Sequence, residues 1–283
     1  MSTLSLTINY TTTFRDNWQL QTGVIILFVL IVLTIGANIF ATYDPDAQGD
    51  LLQDRYLSPS TSHIFGTDKF GRDVFSRVLY GGRLSLMLAI SVVVLSLIFG
   101  LLYGGVAAYA GGWIDTAMMR LLDFWLAFPA IFLIMTVVAL FRPSPASLVI
   151  ILSAIGWMET ARFVRADVLT LKNQEFIIAA QCLGYHPLRI LLHHLLPNCW
   201  APVLATAPLK VAEMILLESS LSFLGIGIQP PLASWGTIIN DGRVALFDAW
   251  WISLFPGVFI MLTVIGFNFL GEGLRRKSKL NSR

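Results

Sequence analysis

Residues 182–194 contain one cysteine and three histidines, side chains that commonly bind transition metals. They are Cys182, His186, His193 and His194. Adjacent residues on a helix point about 100° apart, so His193 and His194 are badly placed to share one ion. The cysteines of the chain also lack the CxxC spacing of a metal or redox site. The pattern therefore predicts free thiols and no metal site.

The sequence lacks the motifs that would indicate catalysis. A phosphate-binding loop of the type GxxxxGK[ST] needs a lysine after a glycine, and none of the five lysines has that neighbour. Neither the metalloprotease motif HExxH nor the nucleophile motif GxSxG occurs. We therefore expect that the chain is not an enzyme and carries no cofactor. Of the functional classes considered, a membrane-embedded enzyme has the least support from the sequence.

Three ionisable residues, Lys210, Glu213 and Glu218, interrupt an otherwise apolar stretch. A charge at the centre of a membrane helix costs about 2.5–3.5 kcal/mol on insertion scales, so such residues face protein or water. Lys210 and Glu213 are three residues apart, within ion-pair reach on one helix face. Two interpretations stay open: a structural pair buried in a helix bundle, preferred because intramembrane charges commonly pair, or a polar feature lining a transport path.

The elements that must position these residues are membrane-spanning helices. The chain has 283 residues, of which 56% are hydrophobic and 13% are charged, whereas soluble domains have about 25% charged residues. A helix needs about 20 residues to cross a hydrocarbon core about 30 Å thick. Apolar runs of that length predict an all-α integral membrane protein with about six transmembrane helices, at residues 23–43, 84–110, 116–141, 147–163, 200–228 and 249–270.

The distribution of basic residues predicts which face of the membrane is cytoplasmic. They concentrate in the C-terminal tail and after the fourth helix, at Arg275, Arg276, Lys277, Lys279 and Arg283, and at Arg162, Arg165, Lys172 and Arg189. Both regions are therefore expected in the cytoplasm. Six crossings place the N-terminus there as well, and place residues 44–83 outside.

These assignments divide the chain into a cytoplasmic N-terminal segment (1–22), a transmembrane domain (23–274) and a basic cytoplasmic tail (275–283). A cleaved signal peptide is the rival interpretation of residues 23–43. We disfavour it because the apolar stretch has about 20 residues rather than 7 to 15.

The loop between the fourth and fifth helices, residues 173–198, is long enough to have structure of its own. Residues 175–183 are good helix formers, and Gly184 supplies a break. A second short helix is expected from Pro187 until Pro197 stops it. A long connection with its own helices usually has a function, and we expect this one to bind a soluble partner.

The loop contains the pair Ala179–Ala180, then Gly184, then the pair Leu196–Pro197. With these residues it resembles the EAA motif of the permeases of ATP-binding-cassette (ABC) importers. In that family the motif forms a coupling helix, which binds in a groove of the ATP-binding subunit and transmits its closure to the membrane helices. The sequence departs from the motif at Ile178, where the family has a glutamate. The resemblance implies contacts to an ATPase by Glu175, Ala179, Ala180, Gly184, Pro187, His194, Leu196 and Pro197.

Two further segments resemble the dipeptide, oligopeptide and nickel importers within this family. Residues 65–86 are similar to the pattern GTDxxGRDxxSRxxxGxRxSL, and residues 218–243 are similar to the segment that closes the fifth helix. In the first segment, Asp68, Arg72 and Asp73 can pair with one another or with backbone amides. They form either a platform that contacts a substrate-binding protein or a self-satisfied polar cap, and both interpretations stay open.

The resemblance implies the permease subunit of an ABC importer in the bacterial inner membrane. Its implied partners are a homologous second permease, two ATP-binding subunits that hold ATP and magnesium, an extracytoplasmic substrate-binding protein and membrane lipid. The implied cargo is a di- or oligopeptide, nickel or a metal chelate. The alternative is a secondary transporter driven by an ion gradient, but we find no convincing internal repeat. The net charge of +2 gives no indication of nucleic-acid binding.

Overall fold

The computed structural model describes residues 17–140 and 144–281, and the regular structure of those residues is helical apart from one isolated bridge between Thr67 and Asp73. Within these residues, five helices are long and apolar enough to cross a membrane, and a bent pair of helices supplies a sixth crossing if it counts as one span. The prediction of an all-α protein with about six membrane helices is confirmed.

The helices are named in chain order. They are α1 (Trp18–Ile35), α2 (Ala37–Phe40), α3 (Val74–Ala110), α4 (Gly112–Leu126), α5 (Ala130–Leu140), α6 (Pro145–Leu171), α7 (Glu175–Cys182), α8 (Pro187–Ile190), α9 (Leu196–Phe223), α10 (Trp235–Gly242) and α11 (Trp251–Asn281). A π-helical turn, Leu191–Leu195, joins α8 to α9, and a 3₁₀ turn, Arg243–Ala245, follows α10.

The long helix α3 packs along both α6 and α9, while α11 packs against α1 and α9. Glycines permit the closest approach: a Cβ atom on Gly104 of α3 would collide with the backbone of Ala161 in α6. At the start of α1, the Asn17 side chain donates a hydrogen bond to the carbonyl of Gly273, near the end of α11, at 3.2 Å. The start of α1 and the C-terminal part of α11 therefore lie at the same end of the bundle.

The helices α3 and α6 are longer than predicted because both continue through charged residues. α3 begins at Val74 rather than at residue 84, because the Asp73 carboxylate accepts the Ser76 N–H at 2.8 Å and caps the helix. α6 continues to Leu171 rather than ending at residue 163. Arg165, two residues beyond the predicted end, pairs with another helix and so does not end α6: it donates two hydrogen bonds to Asp115 of α4, at 2.6 and 2.7 Å.

The third predicted helix, 116–141, is two helices in the structure. α4 and α5 are bent by 76° relative to each other. Pro129 immediately precedes α5, and a proline disfavours the helical conformation in the residue before it. Phe141, the predicted end, lies outside the described residues.

The remaining boundaries also shift. α1 begins at Trp18, inside the predicted N-terminal segment 1–22, of which residues 1–16 lie outside the described part of the chain. It ends before Gly36 rather than at residue 43. α9 ends at Phe223 rather than at residue 228, because Gly225 takes a left-handed conformation with φ of +81°.

The last helix extends beyond the prediction of 249–270. α11 runs from Trp251 to Asn281 and includes most of the predicted tail, 275–283. Residues 282 and 283 lie outside the described residues.

Candidate functional site

The predicted break in the coupling loop (residues 173–198) is present, as a Schellman motif that ends α7. Gly184 has φ of +76°, and its N–H donates to the carbonyl of Gln181 at 2.9 Å. The next N–H, from Tyr185, donates to the carbonyl of Ala180 at 3.1 Å. A Cβ atom on Gly184 would contact nothing within 4 Å. Glycine is therefore needed for its backbone conformation rather than for space.

The second short helix of the loop is the beginning of the fifth membrane helix, which corrects the prediction. α8, the π turn and α9 follow one another without a break, and Pro197 lies in the first turn of α9 instead of ending a helix. Proline has no N–H to donate, and the wide turn before it accommodates the ring. The Asn198 side chain donates to the carbonyl of His194 at 2.5 Å.

One face of the coupling loop is anchored on the bundle. Ile177 of α7 is fully buried. Leu196 packs so closely against Gly105 of α3 that a Cβ atom on this glycine would lie 2.5 Å from the Leu196 Cδ2. The Lys172 ammonium donates to the carbonyl of Tyr109, at the end of α3, at 2.9 Å. These contacts hold the loop in a fixed position at the ends of α3 and α6.

Outside these contacts the loop exposes large apolar side chains, four of which are Phe176, Ile178, Leu183 and Leu188. We call these four residues the apolar face. Ile178, which replaces the family's glutamate, belongs to it.

The residues expected to contact an ATPase differ in their exposure. Ala180 and Leu196 are buried and can act only through packing, and His194 is half-buried. The exposed ones are Glu175, Ala179, Gly184, Pro187 and Pro197.

At the other end of the bundle, Asp68, Arg72 and Asp73 are buried. One oxygen of Asp68 accepts the N–H groups of Phe70 and Arg72, at 2.8 and 3.0 Å, and the other lies 2.7 Å from the Arg72 guanidinium. Asp73 caps α3 and lies 2.9 Å from Nδ1 of His63. Asp68 and Asp73 are almost fully buried, which favours the self-satisfied cap for these two carboxylates, while Arg72 also lines a cavity at this end.

Asp241, which the sequence reasoning missed, joins the two family-like segments. Its carboxylate lies 3.3 Å from the Arg72 guanidinium, 3.4 Å from that of Arg77 and 3.0 Å from the Lys69 ammonium. We call the assembly of residues 44–73 with α10 the outer cap. The available signal was the imbalance of charge: residues 65–86 have more cations than their own carboxylates can pair, and Asp241 lies in the other segment.

The predicted pair of Lys210 with Glu213 does not form. The Lys210 ammonium lies 3.4 Å from the carboxylate of Glu159 in α6 instead. Glu218 is separate from this pair: it is buried, and its carboxylate oxygens lie 2.8 Å from the Ser222 hydroxyl and 3.2 Å from that of Ser85 in α3. Packing between α9 and α6 therefore selected the partner of Lys210, whereas Glu218 is bound both by Ser222, one turn further along α9, and by Ser85 of α3.

The observed pairing makes a testable prediction. Lys210→Met should lower the yield of assembled complex, because Glu159 loses its partner inside the membrane region. Adding Glu159→Gln should restore much of that yield, whereas adding Glu213→Gln should not. Yield is measured after affinity purification of the complex. If Glu213→Gln restored the yield instead, the observed pair would be contradicted, and Lys210 would pair with Glu213 within α9.

The family is shown by comparison with known proteins. The family described as "Binding-protein-dependent transport system inner membrane component" matches residues 96–279. The oligopeptide transport system permease protein OppC of Bacillus subtilis is 38% identical over 262 residues, which cover 93% of this chain and 85% of that protein.

Two other relatives agree with this match. The dipeptide transport system permease protein DppC of Alkalihalophilus pseudofirmus is 41% identical, over 89% of this chain and 83% of its own length. A putative peptide transport system permease protein of Brucella suis is 42% identical, over 89% and 84%. The chain therefore belongs to the family of binding-protein-dependent transport system inner membrane components, as the multi-pass permease of an ABC transporter and not its ATPase.

Proposed function

We propose that this permease imports peptides and that the coupling loop connects it to the ATPase. The observation that carries the proposal is the apolar face, because four large apolar side chains are exposed on a loop whose other face is fixed to the bundle. Exposed apolar patches of this kind mark protein–protein contacts. The ATPase moves the loop as it closes, and the anchored helices α3, α6 and α9 follow as packed bodies.

Peptides are the cargo we propose, in preference to nickel or a metal chelate. The relatives described above are named for oligopeptide, dipeptide and peptide transport. Membership of a binding-protein-dependent family also favours ATP-driven import over the alternative of an ion-gradient transporter.

The transport system supplies an ATPase and a binding protein as partners. In finer detail, we propose two ATP-binding subunits that hold ATP and magnesium, and a homologous second permease that forms the path together with this chain. Both termini are proposed to be cytoplasmic. This orientation is supported by the basic residues at the end of α11, which the positive-inside rule places in the cytoplasm. The start of α1 lies at the same end of the bundle.

The outer cap is the surface we propose for the binding protein, through its exposed residues rather than its buried ion pairs. A cavity of about 460 Å³ opens there, lined by Lys69, Phe70, Gln229 and Pro231 among others. Phe70 is exposed, while the ion pairs beneath it fix the backbone of the same segment. A rigid cap with an exposed rim is suited to receive a soluble partner.

The native cysteines provide a direct test of the coupling loop. Cys182, at the end of α7, is exposed, whereas Cys199 in α9 is buried. In inside-out vesicles without the ATPase, a membrane-impermeant maleimide should label Cys182. Assembly with the ATPase should slow labelling at least about tenfold, because residues within a packed interface are shielded from solvent. Labelling rates are read by mass spectrometry of the intact chain.

Three controls accompany this measurement. Cys182→Ser should abolish the signal, and Cys199 should remain unlabelled. Ser60→Cys in the Cys182→Ser background should react in intact cells, since Ser60 is exposed at the outer cap. Equal labelling of Cys182 with and without the ATPase would exclude the coupling loop as its binding site, and labelling of Cys182 in intact cells would reverse the proposed orientation.

A further inference from the structure

Charged side chains lie at the middle of two membrane-spanning helices, and the two carboxylates among them are exposed. Lys210 lies midway along α9, and Glu159 lies midway along α6. Their ion pair leaves the side chain of Glu159 72% exposed. Glu213, one turn further along α9, is also exposed. Lipid cannot solvate such groups, so this face must border water or another protein.

The charges on this face do not balance. Glu159 and Glu213 contribute two negative charges, and Lys210 contributes one positive charge, so the three residues carry a net charge of −1. The Lys210 ammonium is 3.4 Å from Glu159, and the carboxylate of Glu213 is left over. An additional cation in this place would therefore be attracted rather than repelled.

A small cavity beside these residues contains a second, independent indication of a ligand. The cavity has a volume of about 110 Å³ and is lined by Glu159, Lys210, Glu213 and Ser96, with apolar residues around them. Ser96 is only 3% exposed, and its hydroxyl has no hydrogen-bond partner among the described residues. A buried hydroxyl is normally hydrogen-bonded, so this one is available to a group that enters the cavity.

We propose that Glu213, Glu159 and Ser96 form a contact site for the positively charged groups of the cargo as it passes along the transport path. The proposal rests on the proposed function, since it assumes that the path borders this face. An ammonium group, at the N-terminus or on a lysine side chain of a peptide, can donate hydrogen bonds to both carboxylates and to the Ser96 hydroxyl.

Lys210 is a positioning residue in this arrangement. Its ion pair fixes Glu159 and keeps the net charge of the site small. A transport site must attract its cargo and also release it, which a strongly negative site would hinder. The site therefore biases which peptides pass, while the family's binding protein supplies the initial capture.

The test compares the uptake of two matched peptides, Ala-Lys-Ala and Ala-Glu-Ala, by the complete complex in proteoliposomes with saturating binding protein. The binding protein is the same in every reaction, so a change in the ratio of initial rates comes from the permease. Glu213→Gln should lower the Lys-to-Glu ratio about fivefold, the effect expected of one partly solvated ion pair. Glu213→Lys should lower it further.

Glu272→Gln is the matched control, because this half-exposed carboxylate pairs with Arg276 in α11, away from the cavity. It should leave the ratio unchanged. An unchanged ratio in Glu213→Gln, with normal assembly and uptake, would overturn the site alone. A lower yield of Glu213→Gln complex, whose assembled fraction keeps the wild-type ratio, would overturn it as well, by assigning Glu213 to a contact with the second permease. Failure of the wild-type complex to import either peptide would overturn the proposed function itself.

Discussion

Asp68→Ala is expected to destabilise the outer cap by about 3–5 kcal/mol, the range for removing one partner from a buried ion pair. The carboxylate accepts two backbone N–H groups and lies 2.7 Å from the Arg72 guanidinium. Without it, the buried guanidinium groups of Arg72 and Arg77 share Asp241, at 3.3 and 3.4 Å, and the one further carboxylate is the exposed Asp46, 4.0 Å from Arg77. Both cations then lack sufficient compensation for their lost hydration.

The destabilisation is measured as a lower thermal midpoint and a lower yield of the purified complex in detergent. Asp68→Asn should have an intermediate effect, because the amide oxygen still accepts the backbone N–H groups but carries no charge. Asp248→Ala removes an exposed carboxylate from the same end of the molecule and should leave the midpoint unchanged. If Asp68→Ala matched the wild-type midpoint, the buried network would not be what holds the cap together.

Gly184→Val is expected to reduce peptide transport at least about tenfold, since a left-handed conformation costs about 1–2 kcal/mol for a residue with a Cβ atom and more for a β-branched one. The φ of +76° at this position is required by the Schellman motif that ends α7. Valine would shift the backbone and displace the apolar face from the ATPase. Stimulation of ATP hydrolysis by loaded binding protein should be lost together with transport.

Gly184→Asn separates this conformational effect from a steric one. Asparagine adopts the left-handed conformation at little cost, and a Cβ atom at this position contacts nothing within 4 Å. The asparagine variant should therefore keep most of the transport rate and of the ATPase stimulation. Initial uptake rates and phosphate release are measured for both variants at equal amounts of assembled complex. Equal activities of the valine and asparagine variants would show that the conformation of Gly184 does not control coupling.

The features that depend on local chemistry could be predicted from the sequence. The bilayer thickness sets the length of an apolar run, which is why counting such runs predicted about six crossings. The break at Gly184 was predictable because few residues other than glycine adopt the conformation that a Schellman motif needs. In both cases the determining residues are contiguous in the chain, so no contact with a distant helix has to be known.

Features that depend on contacts between distant helices were not predictable in this way. Spacing suggested Glu213 as the partner of Lys210, but Glu159 is brought closer by the packing of α6 against α9. Pro197 was expected to end a helix, yet the π turn before it lets α9 continue from the coupling loop. Asp241 lies 169 residues from Arg72, and no local pattern connects the two.

Charged residues do not reliably mark the end of a membrane helix. The helix α6 is an example, because Arg165 is paired with Asp115 and the helix continues to Leu171. An ion pair with another helix lowers the cost of placing a charge near the membrane boundary. Hydropathy alone does not contain this information.

The link between Arg72 and Asp241 also constrains how the protein is assembled during its synthesis. In the proposed orientation, Arg72 is translated and reaches the outer side 169 residues before its partner, so Asp68 is the carboxylate available to it during that interval. The outer cap then closes only when α10 has been translocated as well. We expect a nascent chain arrested before residue 235 to expose an unfinished cap, which would make it a substrate for proteolytic quality control.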